Sequence, residues 1–426
     1  MRNLISKFVD VRSDVELKGL MWSIAYGFLI MSSYYILRAV RDEIGASDSR
    51  NLQLLWTAVF LVMLLAVPLY SWVASRMSRG VFVPLANRFF IACLVAFWLC
   101  LVLLPETARP WIDRVFYVWV SVFALFVVTV FWGFMADCFS NEQGKRLFAT
   151  IAVGSSIGAM LGSTITAALA TIVPVFALLL IACVPLELAS WCALVLHRRF
   201  ATGDVKTEGE SNKAIEGNAW SGMKAVFSSK YLMGIAAFIA VMTFVSTVLY
   251  FQQSTLIYEG IPDRGERREL LAKMDWVVNF LTILFQVYLT ARIVKWLGVG
   301  LTLAIVPVAM TAGFVTLGLY PTLAVLVVVQ VIYRAGRYGL TKPAREMLWT
   351  VLGREDKYKA KPFLDAAVYR GGDLVSGWIY TGLAAVGLSI GAIALVSAPV
   401  AGIWALLAFR LGKQEEELAN VQGDSK

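Results

Sequence analysis

Apolar runs of about 20 residues, separated by short polar stretches, repeat along almost the whole chain. A run of that length crosses the ~30 Å hydrocarbon layer of a membrane as one helix. The pattern predicts twelve spans: 19–40, 52–74, 82–104, 112–136, 147–170, 173–196, 231–254, 270–291, 298–319, 321–344, 363–387 and 389–410. An open sheet would leave backbone amides unpaired in lipid, and the strict alternation of a membrane barrel is absent, so the spans are expected to be helices. Composition supports the same class. Hydrophobic residues make up 59% of 426 positions and charged residues 16%, against roughly 45–50% and 25% in soluble domains. The fold class expected is an all-α membrane protein.

Charge then sets the orientation. With the N-terminus inside, 25 of the 38 lysines and arginines fall on the inner side, as the positive-inside rule requires. Both termini are expected in the cytoplasm. The net charge of +9 is explained by topology and does not call for nucleic acid as a partner. The largest polar interruption, rich in Lys, Glu, Ser and Gly, divides the spans into six and six. The expected organisation is a cytoplasmic segment 1–18, a six-helix half 19–196, a cytoplasmic central loop 197–230, a second half 231–410 and a cytoplasmic tail 411–426. No residue-level repeat between the halves is evident. The basic, polar first 18 residues precede a full-length span and read as a retained anchor, not a cleaved signal. No N-x-[ST] sequon occurs, which fits a multi-pass protein of a bacterial inner membrane. The five cysteines show neither a CxxC pair nor metal-ligand spacing, and His197 sits at the edge of span 6. No cofactor or metal is expected.

Two six-helix halves joined by a basic loop resemble the major facilitator superfamily of transporters. The turn at 71–80, SWVASRMSRG, looks like a worn copy of that superfamily's short basic loop, with Arg76 and Arg79 but no acidic partner. The resemblance implies that spans 1, 4, 7 and 10 line a substrate cavity, with 2, 5, 8 and 11 beside it and 3, 6, 9 and 12 outside.

The chemistry is expected where charge stands inside apolar spans. Arg334 and Arg337 follow directly on the apolar run 323–332. A charge near the bilayer centre costs roughly 2.5–3.5 kcal/mol on insertion scales, so it normally faces a cavity, a partner charge or a substrate. Three residues apart, the two share one face of a helix. At the end of span 1, Tyr34, Arg38, Arg41 and Asp42 share a side. Span 4 closes at Asp137, and span 11 carries Arg370 and Asp373, close enough to neutralise each other. Span 7 has Thr243, Thr247, Tyr250 and Ser254 at helical spacing, and span 8 has Asp275, Asn279, Thr282 and Gln286. Such stripes read as walls facing water, with helix–helix hydrogen bonding as the alternative. Arg88 in span 3 and Glu187 in span 6 do not suit a cavity and are expected to form a structural pair. Gly154, Gly158 and Gly162, four apart in span 5, read as a close helix contact.

Three segments resemble the nucleotide (ATP/ADP) translocases of intracellular bacteria and plastids: YYILRAVRDEIG at 34–45, VFWGFMADCFSNEQGKRLFATIAVGSSIG at 130–158, and the series KPAREM, KAKPFLD and YRGGD between 342 and 373. That resemblance implies transport of a phosphorylated anion, with Arg41 and Arg370 near phosphate and Asp137 and Asp275 in coupling or gating. In this chain Arg41 stands where that family has lysine, and Asp373 falls where it has another.

The function expected is a secondary transporter that moves an organic or phosphorylated anion by alternating access, through exchange or proton coupling. An ATP/ADP-type exchanger, an exporter or flippase of amphipathic or lipid-linked anions, and a non-transport assembly protein are the alternatives. An enzyme is not expected, since no nucleophile or metal cluster stands at either face. Arg334, Arg337, Arg41, Arg38, Tyr34, Arg370, Tyr250 and Asn279 are expected to bind substrate; Asp137, Asp275 and Asp373 are expected to couple or gate. The partners expected are a small anionic molecule and the lipid bilayer, around a monomer.

Overall fold

The structure is a computed structural model and describes residues 12–76, 79–139, 141–200, 219–352, 360–361 and 363–424. It is almost wholly helical. In chain order the long helices are α1 (Asp14–Ser47), α2 (Leu52–Arg76), α3 (Arg79–Leu103), α4 (Arg109–Cys138), α5 (Asn141–Leu169), α6 (Val175–Phe200), α7 (Lys230–Gly260), α8 (Arg264–Leu284), α9 (Thr290–Leu319), α10 (Leu323–Gly336), α11 (Tyr369–Ala385) and α12 (Ile390–Asp424). A short helix, Ala219–Ser228, precedes α7.

Side-chain caps set where several of these begin. Ser13 Oγ accepts from the Glu16 amide ahead of α1, at 3.0 Å. The same role falls to Ser229 before α7, Asp263 before α8, Thr322 before α10 and Ser389 before α12. Each satisfies an amide that a helix N-terminus leaves without an intrahelical partner. Among the described residues, eleven helices are long and apolar enough to cross a membrane. The eleventh expected span is not among them. Its first described turn, Leu364–Val368, winds as a π-helix before α11 continues for 17 residues.

The chain forms two compact units. One holds the described residues of Met1–Ser47, Leu61–Glu208 and Ile261–Asn279; the other holds those of Asp48–Phe60, Gly209–Gly260 and Phe280–Lys426. The start of α8 therefore groups with the first unit and the start of α2 with the second. Within the first unit α1 packs on α4, α5 and α6, and α3 on α4 and α6. Within the second, α7 packs on α10, α11 and α12, and α9 on α10 and α12. The second scheme is the first moved on by six helices, an internal repeat carried by packing and not by residue identity.

The tightest contacts use glycine. A Cβ on Gly158 would lie 2.0 Å from the Phe28 carbonyl oxygen, and one on Gly162 would lie 2.3 Å from that of Ser32. The glycines expected to pack span 5 thus let α5 lie against the backbone of α1. Ser32 Oγ completes the contact, donating to the Gly158 carbonyl at 2.8 Å. In the second unit Gly300 and Gly412 bring α9 and α12 together equally closely. Such small-residue contacts suit helices that associate in lipid by van der Waals packing.

Candidate functional site

The residues expected to carry function fall in both units, and each unit holds its own cluster. In the first, the last turns of α1 bring three charged groups to α4 and α8. Arg38 Nε lies 3.6 Å from Asp42 Oδ2 and 3.5 Å from Asp275 Oδ2. Its guanidinium also stands 5.3 Å from the Tyr35 ring and donates to the Tyr35 hydroxyl. Asp42 and Asp275 are buried, so two desolvated carboxylates flank one cation. Arg41 turns the other way. Its Nε donates to Ser121 Oγ at 2.8 Å, its Nη1 to Asp42 Oδ1 at 3.1 Å and its Nη2 to the Tyr117 hydroxyl at 3.3 Å. Tyr34 packs on the rings of Tyr35 and Phe123. Asn279 donates one turn back, to the Asp275 carbonyl. The Asp137 side chain lies outside the described residues.

Arg88 and Glu187 meet between α3 and α6, with Nη2 to Oε1 at 2.9 Å and Nε to Oε2 at 3.4 Å.

In the second unit the arginines of α10 part company. Arg334 is buried in the helix's last turn. Arg337 opens a π turn, Arg337–Thr341, in which the backbone ladder shifts by one residue. Its Nη1 donates to Ser246 Oγ of α7 at 3.3 Å and its Nη2 to the Tyr369 hydroxyl. Three tyrosine rings surround it, with centroids at 5.9 Å (Tyr333), 5.7 Å (Tyr338) and 5.4 Å (Tyr369). Among the described residues no carboxylate stands at ion-pair distance from Arg337. The guanidinium is thus held by ring faces and hydroxyls, which stabilise a cation without cancelling its charge.

Arg370 is closer to compensation, with Nη1 3.9 Å from Asp373 Oδ2 on the next turn of α11. Tyr250 lies against Trp56, centroids 5.4 Å apart. In the stripe read on α7 as a wall facing water, Thr243, Thr247 and Ser254 are buried and Tyr250 is half-buried. Thr243 and Ser254 donate to carbonyls of their own helix, Ala240 and Tyr250, and Gly372 of α11 packs on Thr243. A hydroxyl bonded three or four residues back needs no water, so a helical period alone cannot separate a buried stripe from a wet one. Asp275, Asn279 and Thr282 are buried likewise, whereas Gln286 donates to the Tyr338 carbonyl at the π turn.

A further network lies in the first unit at the end of α1. Arg264 grips both oxygens of Glu43, at 2.8 and 3.1 Å, and reaches Asp113 Oδ2 at 2.8 Å. Arg268 Nη1 lies 3.6 Å from Glu43, which is fully buried, and its Nη2 donates to the Ala170 carbonyl that ends α5. Arg267 donates to Ser47 Oγ and to the Ile261 and Pro262 carbonyls. One short run, DRGERRE at 263–269, thereby ties α8 to α1, α4 and α5. The run was visible in the sequence only as loop charge; three arginines within five residues, ahead of an apolar span, was the signal.

No family model matches the chain, and no curated protein matches it in sequence. Solved structures do match it in fold. The xylose transporter XylE from E. coli, in an inward open conformation, superposes with a TM-score of 0.66 at 12% identity, over 95% of this chain and 99% of that one. A POT family transporter in complex with 5-aminolevulinic acid gives 0.65 at 11% identity, over 93% and 96%. A bacterial homolog of the human lysosomal transporter Spinster gives 0.60 at 14%, over 96% and 99%. At such identities the likeness is one of fold, shared with these solved transporter structures across almost the full length of each chain.

Proposed function

We infer that the chain is a secondary transporter that carries an organic or phosphorylated anion across a membrane by alternating access, with Arg337 as the cation that meets the substrate and Arg334 one turn behind it. The observation that carries this reading is the setting of Arg337: a partly buried guanidinium donating to two hydroxyls and enclosed by three tyrosine rings. Guanidinium presents a planar fork of donors that fits carboxylate or phosphate oxygens two at a time. A cation held by hydroxyls and ring faces keeps that capacity, whereas Arg38, between Asp42 and Asp275, already has its counter-ions. The structurally similar proteins are transporters of small molecules, including a D-xylose-proton symporter, which supports transport as the activity. In this reading Asp275, held against Arg38, is the group through which substrate movement is coupled to a proton or to exchange.

The test is a thermal-shift screen of purified protein against ATP, ADP, glucose 6-phosphate, citrate and lysophosphatidic acid, with xylose as the neutral control. Stabilisation by one anion class, lost in the Arg334→Ala, Arg337→Ala double variant, supports the site. Stabilisation that survives in that variant removes it.

A further inference from the structure

Arg88 and Glu187 are the charged pair for which the transport reading has no use, and their surroundings point to a partner. The two side chains are 55% and 48% exposed. Glu187 stands 12 residues from the start of α6 and 13 from its end, which at 1.5 Å per residue places it near the middle of a membrane-crossing helix. The surface around the pair is apolar. On α6 Val184 and Trp191 are exposed one turn to either side of Glu187. On α3 Ala92 and Ala96 are exposed one and two turns beyond Arg88. Lipid chains against this face would leave two half-exposed charges in hydrocarbon, where such groups normally face protein or water. Snorkelling to a headgroup does not serve Glu187, whose short side chain sits mid-helix.

We propose that this face of α3 and α6 is covered by a second copy of the chain, related by a two-fold axis along the membrane normal. Under that symmetry the patch is complementary in charge to itself. Copies inserted in the same orientation are related by rotation about the normal, which preserves depth. Arg88 and Glu187 already pair within one copy, so they lie at one depth. Rotation therefore brings Arg88 of each copy level with Glu187 of the other and closes a ring of four alternating charges. The patch carries its own complement, and no charged partner of another kind is required. Ala92 and Ala96 add the small surface that lets membrane helices approach closely.

The experiment counts subunits by single-molecule photobleaching of the full-length protein in liposomes at low density. Native protein is expected to bleach mainly in two steps. Arg88→Glu and Glu187→Arg variants, each alone, are expected to lose at least half of the two-step traces and to recover them when mixed with each other. The double variant carrying both changes keeps its internal pair, which separates association from folding. It is expected to pair with itself and not with native protein, because the mixed contact sets Arg against Arg and Glu against Glu. Single-step bleaching of native protein at every density would overturn the proposal. So would free mixing of native and doubly exchanged copies, which would show that the pair ties α3 to α6 within one copy and does nothing more.

Discussion

Arg38 and Asp275 face each other inside the first unit, Nε 3.5 Å from Oδ2, with side chains only 15% and 2% exposed. Removing one partner of so buried a pair leaves the other desolvated and uncompensated, at a cost of about 3–5 kcal/mol. Asp42 remains beside Arg38 in Asp275→Asn, so the loss is expected at the lower end, about 3 kcal/mol. Thermal unfolding in detergent measures it. The Arg38→Gln, Asp275→Asn double variant should be more stable than the sum of the single losses allows, since the pair is lost once; strict additivity would contradict the pairing.

The network at the end of α1 ranks its members. Glu43 is fully buried and gathers Arg264, Arg268 and Ser47, while Arg264 is 35% exposed. Glu43→Gln is therefore expected to destabilise more than Arg264→Gln, because it leaves two neighbouring guanidiniums short of their shared carboxylate. Equal losses in a thermal melt would show that Asp113 alone holds Arg264.

The glycines of α5 should differ in what they tolerate. A methyl on Gly158 meets the Phe28 backbone, which cannot step aside, whereas one on Gly154 meets the Ile24 side chain first. Gly158→Ala is expected to lose about 1–3 kcal/mol through forced separation of α1 and α5. Gly154→Ala should lose less. Unfolding temperatures of the two variants, compared side by side, decide it.

Tyr369 offers a probe of the cage around Arg337. Tyr369→Phe keeps a ring face beside the guanidinium but deletes the hydroxyl that receives its Nη2. A freed guanidinium donor is expected to leave the fold intact and to change the affinity for the anion identified by the thermal-shift screen several-fold. Unchanged affinity would place Tyr369 outside the binding chemistry.

What the sequence could show followed from what each element must satisfy alone. A membrane-crossing helix carries its apolar run in consecutive residues, so the spans were legible and eleven helices meet the requirement. The eleventh expected span, 363–387, is the exception: α11 is 17 residues long and carries Arg370, Asp373 and several glycines, and nothing in Leu364–Val368 signals the π turn that opens the span. The contact glycines of α5 were legible through their spacing of four. The packing repeat was not, since it resides in which helices touch. The same limit hid the chemistry. Tyr333, Tyr338 and Tyr369 converge on Arg337 only after a π turn rotates the chain, and Arg264 finds Glu43 only once α8 lies beside α1. The α7 stripe is ambiguous for a related reason: Thr243 and Ser254 donate to carbonyls of their own helix, while their spacing is also that of a cavity wall.

The most direct test of the transport reading is exchange of a labelled anion, taken from the thermal-shift screen, across liposomes holding native protein, Arg337→Lys or Arg337→Gln. On the transport reading native protein exchanges it, Arg337→Lys, which keeps the charge but loses the planar fork, does so at a partial rate, and Arg337→Gln loses at least tenfold. Exchange by Arg337→Gln at the native rate and native affinity would contradict it.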